Sequence, residues 1–178
     1  MKETLLKIVA TGPESSGKTA IASALGEALG TPCVPEFARY YLGNLGRPYG
    51  VEDLRTIGAG QKAWENWHAQ RNDRFLMLDT DWTVLHIWET FRFGSDRYWR
   101  EGYGLAPSAD LYLLCKPDFP WAPDPLRENP FEREQLFDLY LQLLRGIGAN
   151  YVIVEKSPSQ RLETALAAIE NISRTLRQ

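Results

Sequence analysis

Residues 12–19 carry the sequence pattern with the clearest chemistry, Gly-Pro-Glu-Ser-Ser-Gly-Lys-Thr. Its fixed positions have the spacing Gly-x-x-x-x-Gly-Lys-Ser/Thr that is typical of a phosphate-binding loop. The two glycines tolerate the positive φ angles that wrap such a loop around a phosphate, and backbone N–H groups then point inward as an anion-binding nest. The helix that follows adds the positive end of its dipole. The pattern therefore predicts a site for the phosphates of a nucleotide.

Every residue of this loop is expected to contact the nucleotide. The predicted contacts are Gly12, Pro13, Glu14, Ser15, Ser16, Gly17, Lys18 and Thr19. Lys18 should reach the β- and γ-phosphates and act in catalysis, and the Thr19 hydroxyl should bind Mg²⁺. ATP and Mg²⁺ are thus the expected cofactors. A chance glycine-rich turn is the alternative, and the strand and helix patterns on either side argue against it.

Three acidic residues follow predicted strands, where an open α/β sheet holds its ligands: Glu36, Asp79 and Asp81. We assign Asp79 to Mg²⁺ binding and to the acceptor side of the site. Glu36 is expected to accept the proton of an acceptor hydroxyl, and Asp81 is expected to bind ribose or other substrate hydroxyls. The roles of Glu36 and Asp81 can be exchanged. The structural alternatives are that Asp81 or Thr80 caps the following helix and that Glu36 only pairs with Arg39.

Residues 116–133 are predicted to form a lid over the site. Five prolines between residues 116 and 130 forbid a regular helix there, and Arg127 and Arg133 lie within or just after them. Closure of such a segment excludes water, and an arginine stabilises the charge on a transferring phosphoryl group. We assign Arg127 to catalysis and Arg133 to nucleotide binding. An ordinary proline-rich surface loop is the alternative.

Aromatic side chains near the acidic corner are candidates to stack on a flat acceptor. Trp82 and Trp88 follow Asp81 directly, and Trp121 in the lid is a weaker candidate. Trp64 and Trp67 are on one face of a predicted helix and are expected in the core instead.

The elements that position these residues alternate between strands and helices. Apolar runs predict strands at residues 4–11, 31–35, 74–78, 110–115 and 151–154. Helical periodicity predicts helices at 18–29, 51–73, 82–92, 131–145 and 159–177, with a helical turn at 37–42 and a short amphipathic piece at 96–100. This order predicts an α/β fold with a five-stranded parallel sheet, helices on both faces and a lid. We interpret residues 1–178 as one P-loop kinase domain.

Composition excludes several classes of protein. The chain has 178 residues, a net charge of −3 and a pI of about 5.5, so a nucleic-acid partner is not expected. The sequence has neither a long apolar run nor a secretory signal, so we expect no membrane partner. Its two cysteines are far apart and indicate a reducing, cytoplasmic setting. A small molecule is the expected partner, and the oligomeric state is not predicted.

Taken together, four segments resemble those of NadR-like ribosylnicotinamide kinases, which belong to the P-loop AAA-type ATPase/kinase family. They are the phosphate loop, the segment Pro-Glu-Phe-Ala-Arg-Tyr-Tyr at 35–41, Leu-Asp-Thr-Asp at 78–81, and 119–127 with Phe-Pro-Trp and Leu-Arg at its ends. The second is similar to the family's Glu-x-x-Arg segment, which places Arg39 at the substrate. The resemblance runs over nearly the whole chain.

This resemblance implies transfer of the ATP γ-phosphate to the ribose 5′-hydroxyl of nicotinamide riboside, which gives nicotinamide mononucleotide for NAD salvage. It implies a flat cationic acceptor base, for which an aromatic sandwich with nearby carboxylates is suited. In the bifunctional members an adenylyltransferase domain precedes the kinase domain, and we expect this chain to lack that domain. The alternatives are a kinase for another nucleoside or small metabolite, and a non-catalytic ATP-binding regulatory module.

Overall fold

The computed structural model describes residues 5–98 and 106–175, in which strands and helices alternate along the chain. The strands are β1 (Leu6–Thr11), β2 (Cys33–Val34), β3 (Phe75–Leu78), β4 (Leu111–Cys115) and β5 (Tyr151–Val154). The helices are α1 (Lys18–Leu29), α2 (Phe37–Asn44), α3 (Val51–Ala69), α4 (Trp82–Phe93), α5 (Arg133–Gly146) and α6 (Pro158–Thr175). The predicted strands and long helices are all present.

The five strands form one parallel sheet in the order β2-β3-β1-β4-β5. The first strand is central, and its neighbours β3 and β4 come much later in the chain. The strand order therefore reverses beside β1, and the crevice beyond the carboxyl ends of β1, β3 and β4 is the expected ligand position. The predicted parallel sheet is confirmed.

Apolar residues cover both faces of the sheet because successive strand side chains point to opposite sides. Leu6, Ile8 and Ala10 of β1 pack with Leu25 of α1 and Ala165 of α6 on one face. On the other face the cluster includes residues of β1, β4, α4 and α5: Val9, Tyr112, Ile87 and Leu144. Helices thus lie on both faces, as predicted.

Element boundaries differ from the predicted ones by a few residues. The helix predicted to run from 51 to 73 ends at Ala69, and the helical turn expected at 37–42 is the helix α2. The short amphipathic piece expected at 96–100 lies partly outside the described residues. Between Cys115 and Arg133 the chain forms no regular helix or strand, in agreement with its prolines. In the described parts of the chain no helix is long and apolar enough to cross a membrane.

Candidate active site

Both glycines of the phosphate loop have the positive φ angles expected of them. Gly12 has φ 131°, and a Cβ on it would lie 2.7 Å from the Cys115 carbonyl oxygen, so this position requires glycine. Gly17 has φ 85° in the left-handed region and caps α1. The loop thus turns tightly between β1 and α1, and its backbone leads directly into the helix N-terminus.

The Lys18 ammonium lies against the loop itself. Its Nζ donates to the Gly12 oxygen at 3.0 Å and to the Pro13 oxygen at 2.8 Å. The Ser16 hydroxyl also donates to the Pro13 oxygen, at 2.8 Å. The positive charge is therefore held over the concave side of the loop, where a phosphate chain would need it.

Thr19 and Asp79 are brought together from α1 and the end of β3. The Thr19 hydroxyl donates to Oδ2 of Asp79 at 2.8 Å. Adjacent ligands of an octahedral Mg²⁺ lie about 2.9 Å apart, given metal–oxygen distances of about 2.0–2.1 Å. The oxygen pair therefore fits Mg²⁺ in both chemistry and spacing.

Among the described residues, this pair is not part of a metal site made of protein ligands alone. Within the described ranges, no group of three His, Cys, Asp or Glu side chains could hold a metal ion. Magnesium in nucleotide enzymes needs only one or two protein oxygens, because phosphates and waters complete its shell. Thr19 and Asp79 are sufficient protein ligands on that count.

Glu36 lies at the start of α2 and faces the same cleft. It occupies the N-cap position but makes no side-chain capping bond. Its carboxylate lies 3.3 Å from the Arg39 guanidinium, and its side chain is 15% exposed. Burial raises the pKa of the Glu36 carboxyl above its ordinary value, and the Lys18 charge opposes this shift only in part. A carboxylate in that setting is a good proton acceptor.

A cleft of about 230 Å³ joins the phosphate loop to Glu36. Besides the loop, residues of α2, α4, α5 and the 116–132 segment line it; they include Glu36, Arg39, Trp88, Arg127 and Tyr140. The nucleotide side and the acceptor side of the predicted site are thus one continuous space.

A second cavity of about 100 Å³ opens beside the cleft. Glu14, Trp88 and Tyr140 line both spaces, and Tyr49 and Glu128 line the second. The Trp88 and Tyr49 rings are tilted by 32° with centroids 6.1 Å apart. Because these rings already contact each other, a flat ligand would pack against one face and not between them. The aromatic sandwich implied by the resemblance is therefore not formed by this pair.

Residues 116–132, which we call the lid segment, are bonded to the phosphate loop at several points. Oε2 of Glu14 accepts from the backbone N–H groups of Glu128 and Asn129, both at 2.9 Å. Oγ of Ser15 accepts from the Ala122 N–H at 3.0 Å. The segment thus covers one side of the cleft.

The two predicted arginines of the lid have different surroundings. Arg127 lines the cleft and donates to the Ala122 carbonyl oxygen. Arg133 donates to the carbonyl oxygens of Phe119 at 2.8 Å and of Ser15 at 3.4 Å. Arg133 therefore supports the loop from its carbonyl side, and of these two arginines Arg127 is the one that lines the cleft.

Asp81 differs from the expectation that it would bind substrate hydroxyls. It is fully buried, and its Oδ1 accepts from the Thr83 N–H at 2.9 Å and the Thr83 hydroxyl at 2.6 Å. Its Oδ2 accepts from the hydroxyls of Ser108 at 2.9 Å and Tyr112 at 3.2 Å. Four donors occupy this carboxylate, which favours the capping alternative, and the assignment of Asp81 to catalysis and substrate stays a prediction.

Two predicted aromatic contacts also lie outside the cleft. Trp82 is 5% exposed and lines a different cavity, together with α3 residues such as Gly58 and Gln61. Trp121 lies beside Arg133, whose guanidinium carbon is 5.9 Å from its ring centroid. Of the three predicted tryptophans, Trp88 is the one that lines the cleft.

Two buried polar residues near the site were not predicted from the sequence. Gln61 of α3 accepts from the Phe37 N–H at 2.8 Å and donates to the Pro35 and Thr80 carbonyl oxygens, both at 3.4 Å. It therefore links the chain on either side of Glu36 to the end of β3. Arg161 of α6 is the second such residue, and its side chain is 2% exposed.

Solved structures with this fold include proteins of several activities. NadR in complex with NR matches with a TM-score of 0.81 and 19% identity, over 94% of this chain and 51% of that one. Deoxyadenosine kinase from M. mycoides with bound dCTP matches with a TM-score of 0.58 and 12% identity, over 93% and 100% of the chains. Shikimate kinase from Acinetobacter baumannii in complex with shikimate matches with a TM-score of 0.52 and 18% identity, over 97% and 96%.

At these identities the structural matches show the fold alone. The chain spans about half the length of the NadR chain. No curated protein sequence matches it significantly. The family model described as AAA domain matches residues 7–161, which include the phosphate loop, Glu36, Asp79 and the whole lid segment. The chain therefore belongs to the AAA-domain family of P-loop proteins.

Proposed function

We propose that the protein is an ATP-dependent kinase that phosphorylates a hydroxyl of a small ribosylated metabolite, and that nicotinamide riboside is this acceptor. One observation carries the proposal. Glu36, a carboxylate whose side chain is only 15% exposed and whose pKa is raised, lines the same cleft as the phosphate loop and Lys18. Phosphoryl transfer to an alcohol needs this combination, because the hydroxyl must lose a proton while charge spreads over the transferring group.

Each step of the proposed reaction has a residue in the cleft. Glu36 orients the acceptor hydroxyl and accepts its proton at the carboxylate. Its raised pKa brings its proton affinity closer to that needed near neutral pH. Lys18 and Arg127 supply positive charge on the phosphate side. The lid segment limits the access of water, which would otherwise compete with the acceptor.

Magnesium belongs to the same proposal. Thr19 and Asp79 would hold it, and a bound Mg²⁺ neutralises charge on the nucleotide phosphates. The Thr19 hydroxyl lies 2.8 Å from Oδ2 of Asp79, a spacing that suits two ligands of one Mg²⁺.

The second cavity suits the base of the acceptor. Trp88 and Tyr49 offer aromatic surface, and Glu14 and Glu128 offer negative charge. Arg92 also lines this cavity, but it pairs with Glu128 and lies 4.7 Å from the Tyr49 ring centroid. With two carboxylates and one guanidinium, the cavity favours a flat ring that carries positive charge, such as nicotinamide. The fold likeness to NadR in complex with NR supports this choice.

The test is ADP release measured by a coupled assay with a panel of acceptors. Nicotinamide riboside, deoxyadenosine and shikimate are compared with a reaction that lacks acceptor, and mass spectrometry identifies the phosphorylated product. We expect strong stimulation by nicotinamide riboside and a product heavier by one phosphoryl group. Turnover of deoxyadenosine or shikimate instead would reassign the acceptor. ATP binding without stimulation by any acceptor would favour a regulatory module.

A further inference from the structure

A single buried guanidinium joins the loops that follow three neighbouring strands. Arg161 of α6 donates to the Ser16 oxygen after β1 at 2.7 Å and to the Lys116 oxygen after β4 at 2.8 Å. Its Nε donates to the Lys156 oxygen after β5 at 3.1 Å, and it forms an ion pair with Asp118. All three guanidinium nitrogens are therefore occupied, each by a different loop or partner.

The stacking around this guanidinium reaches the phosphate loop as well. The Arg161 guanidinium carbon lies 4.3 Å from the Phe119 ring centroid. A Cβ on Gly17 would lie 3.0 Å from Cε2 of Phe119 and 3.6 Å from a terminal nitrogen of Arg161. Arg161 and Phe119 thus fill the space directly behind the peptide that joins Ser16 to Gly17.

The contact to Ser16 determines how that peptide is oriented. A trans peptide is planar, and its C=O and N–H point in opposite directions. When Arg161 holds the Ser16 carbonyl on the outer side of the loop, the Gly17 N–H must point to the inner side, where a phosphate binds. Gly17 alone would not fix this direction, because glycine permits many backbone conformations.

Burial of the guanidinium is costly unless each N–H finds an acceptor. Here three carbonyl oxygens and one carboxylate accept from four of the five N–H groups, and the Phe119 ring covers one face of the guanidinium. Lysine would retain the charge but not the planar fork that spans separated acceptors. The arrangement therefore depends on the geometry of arginine as well as on its charge.

We propose that Arg161 is a positioning residue for the nucleotide phosphates: by holding the Ser16 carbonyl outward, it presents the Gly17 N–H to the phosphate chain. Arg161 itself does not contact the phosphates in this arrangement. The inference rests on the nucleotide half of the proposed function and is independent of the acceptor.

The test measures binding of inorganic tripolyphosphate and of ADP by calorimetry, with no turnover required. Arg161→Met and Arg161→Lys are compared with wild type, and Arg174→Met, which changes an exposed arginine on the same helix, is the control. We expect both Arg161 variants to bind tripolyphosphate about 10- to 100-fold more weakly, the effect of impairing one charge-assisted hydrogen bond. Arg174→Met should bind as wild type does.

Kinetics and folding measurements separate positioning from simple support of the fold. We expect the KM for ATP to rise in Arg161→Lys while the KM for the acceptor is unchanged, with a far-UV circular dichroism spectrum like that of wild type. Wild-type tripolyphosphate affinity in Arg161→Lys would show that charge alone matters and overturn the proposal. If the Arg161 variants keep the wild-type affinity for tripolyphosphate but melt at a lower temperature, Arg161 only stabilises the fold. If Arg161→Met does not fold, Arg161→Lys decides. Failure of wild type itself to bind tripolyphosphate would instead refute the nucleotide site.

Discussion

Glu36→Gln is the substitution that tests the proposed chemistry most directly. Glutamine keeps the size of the side chain and removes its ability to accept a proton. Glu36 faces the cleft without capping α2, so the change should leave the helix start intact. The nucleotide contacts that we expect come from the phosphate loop and Lys18, and Glu36 is not among them.

The expected effect is a loss of turnover without a loss of ATP affinity. A positioned general base contributes about 10²- to 10⁴-fold to the rate. We therefore expect kcat to fall by that factor, or about 2.7–5.4 kcal/mol of transition-state stabilisation at 1.36 kcal/mol per factor of ten. The dissociation constant for Mg-ATP should change by less than about threefold, because the substitution removes an interaction of the acceptor side.

The pH dependence follows from the raised pKa of Glu36. In wild type the acid limb of kcat/KM should lie above the ordinary glutamate pKa of about 4.3, and Glu36→Gln should remove that limb. A raised carboxyl pKa means that the folded protein prefers the neutral form. Glu36 therefore costs stability once the pH rises above the unfolded pKa, and fully above the folded pKa. Glu36→Gln should raise the melting temperature at pH 8 and have less effect near pH 4.

The control is Glu27→Gln, which makes the same chemical change at an exposed position on α1. It should change neither kcat nor the dependence of the melting temperature on pH. A wild-type kcat in Glu36→Gln would refute the assignment of the base. An acid limb below the ordinary glutamate pKa would refute the physical argument from burial even if turnover fell.

Three further substitutions separate the parts of the site. Lys18→Ala should lower kcat by about 10²- to 10³-fold, the cost of losing one preorganised donor, with an unchanged circular dichroism spectrum. Asp79→Asn should raise the Mg²⁺ concentration for half-maximal turnover by about tenfold or more, which a Mg²⁺ titration measures. Gln61→Leu should lower kcat but not ATP affinity, because it frees the segment that holds Glu36; equal losses in both would indicate general destabilisation.

The sheet and the phosphate loop could be predicted because local sequence determines them. The run Leu-Tyr-Leu-Leu-Cys at 111–115 has no polar alternation, as expected for a parallel strand buried on both faces, and all five residues are buried. Gly12 and Gly17 occupy positions where the loop needs positive φ, which few other residues adopt. In such segments the physical requirement and the residue that meets it are at the same place in the chain.

Gln61 and Arg161 could not be predicted for the opposite reason. Arg161 bonds to a carbonyl 145 positions earlier in the chain, and Gln61 bonds to a backbone N–H 24 positions earlier. A polar residue within an amphipathic helix is usually on the solvated face, and no nearby residue marks these two as exceptions. Apart from the Asp118 carboxylate, their acceptors are backbone carbonyls, which every sequence has. Only the packing of α3 and α6 against the sheet shows which carbonyls they meet.

Asp81 and Glu36 show where a finer rule of helix capping would have improved the prediction. Both follow strands, and both occupy the N-cap position of the next helix. Aspartate is among the preferred N-cap residues because its short side chain reaches back to the first backbone N–H groups, and glutamate is not. Asp81 accordingly accepts from the Thr83 N–H, whereas Glu36 makes no capping bond and extends into the cleft. At two equivalent positions, one additional methylene distinguishes a carboxylate that caps its helix from one that extends into the cleft.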